Sequence, residues 1–236
     1  MISVVIPEHN GARFLPEALA SIEAQRFGDL ETLLIDDGST EELHAPDWVR
    51  LFRQQRMGQS AARNRGVRES RGEYLAFLDI DDLWTPGHLS RLHAALMRHP
   101  EAGIAQGRMQ QLAGGRISGA YRMPYAGSCL FRREAFEHCG GFDETMRLGE
   151  DYDFLFRCWE KDIVKIDVEE VSLIYRRHGG NATRGNFARS HMIVLKRRME
   201  RIRSGAVDAA EKRSFRFQDY IGETEGAGEW TLWSAS

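Results

Sequence analysis

The stretch Tyr74-Leu75-Ala76-Phe77-Leu78-Asp79-Ile80-Asp81-Asp82 decides how this chain is read: an apolar run that ends abruptly in three carboxylates. Its length and its aromatic and aliphatic make-up predict a strand buried on both faces. Three acids at the exit of such a strand would repel one another. Asp79 and Asp81 lie two apart and, on an extended chain, project to the same side, where a divalent cation or the metal-bound diphosphate of a nucleotide would fit between them. A solvated turn is the other reading, because Asp is common at strand ends and Leu83-Trp84-Thr85-Pro86 then starts a helix. The stretch alone leaves both open.

Working outward, Ile2 to Ile6 forms a short apolar strand that stops at the turn cluster Pro7-Glu8-His9-Asn10-Gly11. Phe14, Leu15, Ala18, Leu19 and Ile22 then recur at helical spacing, with Pro16 near the start, where a missing N–H matters least. Leu30 to Ile35 is a second strand ending in Asp36-Asp37-Gly38-Ser39-Thr40, and a third lies around Val49 to Arg53. Gly58 to Gly72 is polar and rich in Arg, with Ala61, Ala62 and Val67 on one helical face. Beyond the acids, Thr85 is expected to cap a helix with Pro86 in its first position and Leu89, Leu92 and Leu96 facing inward. Strands alternating with helices predict an α/β fold, a mixed, mostly parallel sheet flanked by helices. Such sheets bind ligands beyond the carboxyl ends of their strands, and the three polar clusters each fall at such an end.

The second half is less regular. Ala102 to Leu112 and Arg116 to Arg122 are expected to pair around Gly114-Gly115, and Gly127 to Phe131 to form a further strand. Arg133 to Cys139 reads as a short helix closed by Gly140-Gly141. Gly149-Glu150-Asp151-Tyr152-Asp153 opens another, its acids placed well for the helix dipole. Ile163 to Asp167 and Val171 to Arg177 read as strands that end at His178. Arg189 to Arg203 is a basic amphipathic helix, which either packs its apolar side on its own domain or meets anionic lipid or an acidic acceptor. Residues 222–236 read as a tail or docked arm, with Trp230 and Trp233 suggesting that part of it docks.

With 236 residues, 42% of them hydrophobic, the chain can bury a real core. A net charge of -3 offers no whole-protein attraction to nucleic acid. No run approaches the length of a membrane span and the N-terminus lacks a basic leader, so the expected location is cytoplasmic, with peripheral contact at the inner face of a membrane through helix 189–203. Cys129, Cys139 and Cys158 lack the paired spacing of a zinc site and read as small buried hydrophobes in a reducing compartment.

The ordered set of motifs resembles glycosyltransferase family 2, inverting enzymes of the GT-A fold, over about Ile2 to Asn181. Val4-Val5-Ile6-Pro7-Glu8-His9-Asn10 is similar to the family's opening strand and donor loop, and Leu34-Ile35-Asp36-Asp37-Gly38-Ser39-Thr40 to its nucleotide-base loop. Arg63-Asn64-Arg65-Gly66 resembles its Arg-Asn-x-Gly segment and Asp79-Ile80-Asp81 its Asp-x-Asp metal motif. Gly140-Gly141-Phe142-Asp143 resembles its Gly-Gly-Phe-Asp turn and Glu150-Asp151 its catalytic Glu-Asp.

The resemblance implies a GT-A (Rossmann-like nucleotide-diphospho-sugar transferase) fold in residues 1–181, with 182–236 as a C-terminal helix and tail. It implies transfer of a sugar, with inversion, from a nucleotide-diphosphate donor, expected to be a UDP-sugar, to a hydroxyl of a glycan or glycolipid acceptor in polysaccharide biosynthesis. Asp151 would be the general base and Glu150 an orienting or acceptor-binding carboxylate. Pro7, His9, Asn10, Asp37, Arg63, Asp79 and Asp81 would bind the nucleotide sugar. Asp81 and His178 would ligate Mn²⁺ or Mg²⁺, His178 alternatively being a strand-end polar residue. His9 departs from the family's usual Tyr, which puts stacking on the base in question. A homodimer is compatible with this reading. The competing readings are a sugar-nucleotide-forming nucleotidyltransferase, whose glycine-rich loop is missing after the first strand, and a non-catalytic nucleotide-sugar-binding scaffold of the same fold.

Overall fold

The computed structural model describes residues 1–180, 187–208, 216–221 and 231–233. The first half alternates β1 (Ile2–Glu8), α1 (Leu15–Glu23), β2 (Leu30–Asp37), β3 (Val49–Gln54), α2 (Gln59–Glu69), β4 (Tyr74–Phe77), β5 (Leu83–Trp84) and α3 (His88–Arg98). There follow β6 (Ala102–Ala113), β7 (Arg116–Ile117), β8 (Cys129–Arg132), α4 (Arg133–Cys139), α5 (Glu150–Glu160) and β9 (Val164–Arg176). The last described elements are α6 (Phe187–Arg203), α7 (Phe217–Ile221) and β10 (Thr231–Leu232).

These strands form one sheet in the order β10-β7-β6-β8-β4-β1-β2-β3, with β9 pairing both β6 and β5. β3, β2, β1 and β4 run parallel, β8 is antiparallel to both β4 and β6, and β9 is parallel to β6. The period of two along β1 explains the layering. Ile2, Val4 and Ile6 join the core that receives Leu19 and Ile22 of α1 and Leu92 and Leu96 of α3, while Val5 joins the opposite core, with Ala62 of α2, Phe136 of α4 and Phe154 of α5. A third cluster of Met146, Phe156 and Val194, with Phe217 packed against it, brings α5, α6 and α7 together. All three cysteines are buried free thiols.

Several boundaries differ from the sequence expectation, each for a tertiary reason. The central strand ends at Phe77; Asp79 to Asp82 is a turn closed by the Asp82 N–H on the Asp79 carbonyl at 2.9 Å, so Asp79 and Asp81 are not neighbours on extended chain. Leu83 and Trp84 are strand rather than helix, because β9 offers them a pairing edge, and Thr85 donates both its N–H and its hydroxyl to β9 carbonyls. The helix therefore starts at His88, after Gly87. The two strands expected between Ile163 and Arg177 are one, β9, which absorbs its irregular middle as register shifts against β6. β7 is only two residues long, and Tyr121 adds an isolated bridge to Met109. The strand expected from Gly127 begins at Cys129, after a 3-10 turn at Ala126–Ser128. The docked arm is represented by β10 on the edge of β7, with the Trp233 N–H on the Gly115 carbonyl at 2.8 Å. Trp230 and the expected boundary at 181–182 lie outside the described residues.

Candidate active site

A cleft of about 1350 Å³ opens beyond the carboxyl ends of β1, β2 and β4. Pro7, His9, Asn10, Asp37, Asp79, Asp81, Glu150, Asp151 and His178 all line it. Arg63 does not: it is 1% exposed and acts from behind the wall.

The three acids of the Asp79–Asp82 turn point apart, Asp79 and Asp82 sharing Tyr125 and Asp81 facing His178. Asp79 accepts from Gln59 Nε2 and Arg63 on Oδ1, both at 2.7 Å, and from the Tyr125 hydroxyl on Oδ2 at 2.7 Å. Asp81 pairs through Oδ2 with His178 Nε2 at 2.9 Å. Asp82 turns into the interior, fully buried, where it accepts the Arg176 backbone N–H at 3.0 Å and lies 2.6 Å from the same Tyr125 hydroxyl. One hydroxyl proton cannot serve two carboxylates. Burial, followed by the charges of Asp81 and Asp79, pushes Asp82 well above the carboxylate range. A protonated Asp82 then donates to the Tyr125 oxygen while Tyr125 donates to Asp79, and the chain of donors is complete.

Arg63 joins this turn to the opposite wall. Its two terminal nitrogens reach Asp79 and Asp151 at 2.7 Å each, and Glu150 lies 3.6 Å from the second. One guanidinium thus serves three carboxylates, and its own pKa is raised by Asp151, Asp79 and Glu150 despite its burial. Asp151 sits in the first turn of α5, entered through Gly149 at φ 78, a conformation that favours glycine. Burial pushes Asp151 up to about 7; Arg63 and the Ala126 N–H oppose this, and the charges of Glu150 and Asp79 add to it. An acid held near neutrality on a cleft wall is what a general base at physiological pH requires.

The loops at the exits of β1 and β2 hold one another. Asp37, 4% exposed, accepts from Gln54 Nε2 and Met57 N on Oδ1 and from Gly58 N on Oδ2, at 2.7 to 2.8 Å, so its carboxylate shapes the Met57–Gly58 loop and keeps a lone pair for a ligand. His9 donates through Nδ1 to the Asp37 carbonyl at 3.0 Å. Asn10, at φ 55, accepts the Thr40 N–H at 2.8 Å and ties the β1 exit to the β2 exit.

The residues around Asp81 suit a divalent cation. A carboxylate and an imidazole face each other at the cleft, and burial, then the charge of Asp79, raises the pKa of Asp81, so the spot is short of positive charge. Asp81 and His178 would be the cation's two protein ligands; among the described residues there is no group of three or more His, Cys, Asp or Glu placed to hold a metal. His178 Nδ1 accepts the Gly180 N–H at 3.1 Å, which leaves the proton on Nε2, toward Asp81. Ligation through Nε2 requires that proton to leave and the Gly180 contact to open.

Sequence reasoning missed Gln59, Tyr125, Tyr152 and His191. Gln59 falls in the polar stretch from Gly58 to Gly72 and is legible as the first residue of α2. Tyr125 lies in irregular chain with no periodic signal. Tyr152 and His191, ring centroids 4.6 Å apart, both line the cleft on the Asp151 side, although they come from different helices.

The family model for glycosyl transferase family 2 matches residues 3–134, and that for glycosyltransferase like family 2 matches residues 96–204. A PGL/p-HBAD biosynthesis glycosyltransferase of Mycobacterium tuberculosis is 30% identical over 200 residues, which is 76% of this chain and 78% of that protein. An uncharacterized glycosyltransferase of a Nostoc species is 40% identical over 112 residues, 44% of this chain, and the match spans only 35% of its length. Among solved structures, mannosyltransferase PcManGT from Pyrobaculum calidifontis, in complex with GDP-Man and Mn²⁺, superposes with a TM-score of 0.68 at 20% identity, over 84% of this chain and 64% of that one. Staphylococcus aureus TarS, in complex with UDP-GlcNAc, gives 0.64 at 15% identity, over 83% and 65%. The fold is therefore the GT-A fold.

Proposed function

Because this chain belongs to glycosyltransferase family 2, we propose that it moves a sugar from a nucleotide-diphosphate donor to an acceptor hydroxyl with inversion, Asp151 acting as general base. One observation carries the reading: Arg63 bonds both Asp79, on the donor-side turn, and Asp151, on the opposite wall. The two halves of a displacement reaction are thereby held at one fixed separation.

UDP is the preferred nucleotide. Asp37 has a lone pair to accept a base N–H, and Pro7, His9 and Asn10 line the same side of the cleft. Asp81 and His178 would hold Mn²⁺ or Mg²⁺. Neutralisation of the departing diphosphate is what such a cation supplies when bound. The acceptor hydroxyl loses its proton to Asp151, whose carboxylate needs only hydrogen-bonding reach because the proton becomes acidic as the new bond forms. Glu150 orients the acceptor beside it. A base on the wall opposite the leaving group implies attack from the far face of the sugar, hence inversion. Residues 1–181 form the proposed catalytic unit, with 182–236 as its extension. The acceptor is a glycan or glycolipid hydroxyl, on the side where Tyr152 and His191 offer ring surfaces to a sugar.

Calorimetric titration of UDP, GDP, dTDP and CDP, each with and without Mn²⁺, tests the donor site. Metal-dependent binding of UDP above the others is expected. Absence of binding for all four would overturn the assignment of this cleft to a nucleotide donor.

A further inference from the structure

A second cavity of about 400 Å³ adjoins the cleft. Thr145, Met146, Arg147 and Leu148 wall one side and Arg189, Ile193 and Arg197 of α6 the other. Arg147 and Leu148 line both spaces, and Leu148 directly precedes Gly149-Glu150-Asp151, so the cavity lies beside the base.

Its charge is one-sided. Among the described residues that line it are three guanidiniums and no carboxylate. Arg197 is compensated from outside the wall by Asp143 at 3.5 Å and Glu200 at 3.8 Å, and donates to Thr145 Oγ1 at 2.5 Å. Arg147 gives one N–H to a neutral acceptor, the Met57 carbonyl, at 2.8 Å, which leaves its charge uncancelled. Arg189 adds a further cation from α6. Scattered surface arginines are ordinarily just solvated. Here they converge on one concave space from two elements, and the α6 wall is fixed in place by Arg201, which bonds the buried Asp153 at 2.9 Å and Glu160 at 2.8 Å.

We propose that this cavity binds a phosphate group carried by the acceptor, so that the accepted class is a phosphorylated one whose free hydroxyl reaches Asp151. Guanidinium forks match phosphate geometry, and several cations around one space suit a group of charge about −2 better than a single carboxylate. The assignment rests on the transferase reading above. A soluble sugar phosphate and a lipid-linked phosphate present the same chemistry.

The test is calorimetry on the full chain with glucose 1-phosphate, and separately with phosphatidylcholine vesicles carrying a prenyl phosphate. Methyl glucoside and plain phosphatidylcholine vesicles are the neutral controls, and each titration is run with and without UDP and Mn²⁺. At least one phosphate probe is expected to bind while its neutral control does not. The Arg147→Gln/Arg189→Gln double variant should weaken that binding about ten-fold, and Arg189→Gln alone, which leaves the Met57 contact intact, about three-fold. UDP binding should stay within about two-fold of wild type in Arg189→Gln, whose side chain does not line the donor cleft. Binding of glucose 1-phosphate alone names a soluble acceptor, and binding of the charged vesicles alone a lipid-linked one. If neither probe outperforms its neutral control, or the double variant binds as wild type does, the cavity is not a phosphate site. Failure of UDP to bind wild type would instead sink the assignment of the cleft to a nucleotide donor, a separate result.

Discussion

Arg63 is the side chain on which the site turns, since it is the cation between three acids that would otherwise repel one another across a buried wall. Arg63→Ala leaves Asp79 and Asp151 without their shared partner and should cost about 3–5 kcal/mol of stability in denaturant titration. Asp151→Asn should lower the transfer rate by about 10²–10⁴-fold while nucleotide affinity is held, as measured by single-turnover kinetics beside calorimetry. Equal loss of both would remove Asp151 from the role of base. The pH dependence has a definite sign. The proposed base, Asp151, would work deprotonated and burial holds it up to about 7, so kcat/KM should rise with pH through that value and then level. Glu150→Gln removes a neighbouring negative charge that raises Asp151, and should move the rising limb to lower pH. The acids at Asp79, Asp81 and Asp151 were legible as residue types at strand and helix ends. Tyr125 was not, because its meaning comes from a distance to Asp79 and Asp82 that only the folded chain creates.

Each residue of the Arg63-Asn64-Arg65-Gly66 segment in α2 answers to a different neighbour. Asn64 clamps the Phe142 backbone, donating to its carbonyl at 2.8 Å and accepting its N–H at 2.9 Å, which fastens the Gly140–Glu144 turn to α2. Arg65 donates to the Arg53 carbonyl at 2.6 Å. Gly66 lets the helix lie against Val5 of β1, where an added Cβ would overlap the valine side chain. Gly66→Leu should therefore destabilise by about 1–3 kcal/mol or more, visible as a lowered urea midpoint. α6 shows how an amphipathic pattern is resolved by partners. Its basic residues are neither all solvated nor all free for lipid: Arg198 and Arg201 reach the buried Glu160, and Arg201 also Asp153, while Met192, Leu195 and Met199 remain exposed. Arg201→Ala strips two buried acids of this cation and is expected to cost about 3 kcal/mol in thermal or denaturant unfolding, against under about 0.5 kcal/mol for the exposed Lys196→Ala.

For the whole molecule, the candidate site carries a pH-dependent cost in stability. The native state holds the Asp151 proton more tightly than the ordinary carboxylate value of 3.8, so this group's contribution to stability is fully present below about pH 4 and is lost as pH rises toward about 7. Asp151→Asn should flatten that part of the stability profile and leave the protein more stable than wild type at pH 8, in the same samples that show lost activity. Ligand binding should act in the opposite direction. UDP with Mn²⁺ at about 100 times its dissociation constant should add about 2.7 kcal/mol, read as a raised Tm that a chelator reverses.

By itself the sequence determined the layered α/β architecture and the edge of the sheet at which the site lies. Strand and helix periodicity are local, and polar clusters at strand exits must collect where parallel strands end together. The tertiary structure alone decided how the acids are used. It turned Asp82 inward onto the Tyr125 hydroxyl, set Arg63 between Asp79 and Asp151, and gave Leu83 and Trp84 to β9 instead of a helix. Those outcomes depend on groups distant in sequence, 88 positions apart for Arg63 and Asp151, and on the desolvation that their meeting creates, which no local pattern encodes.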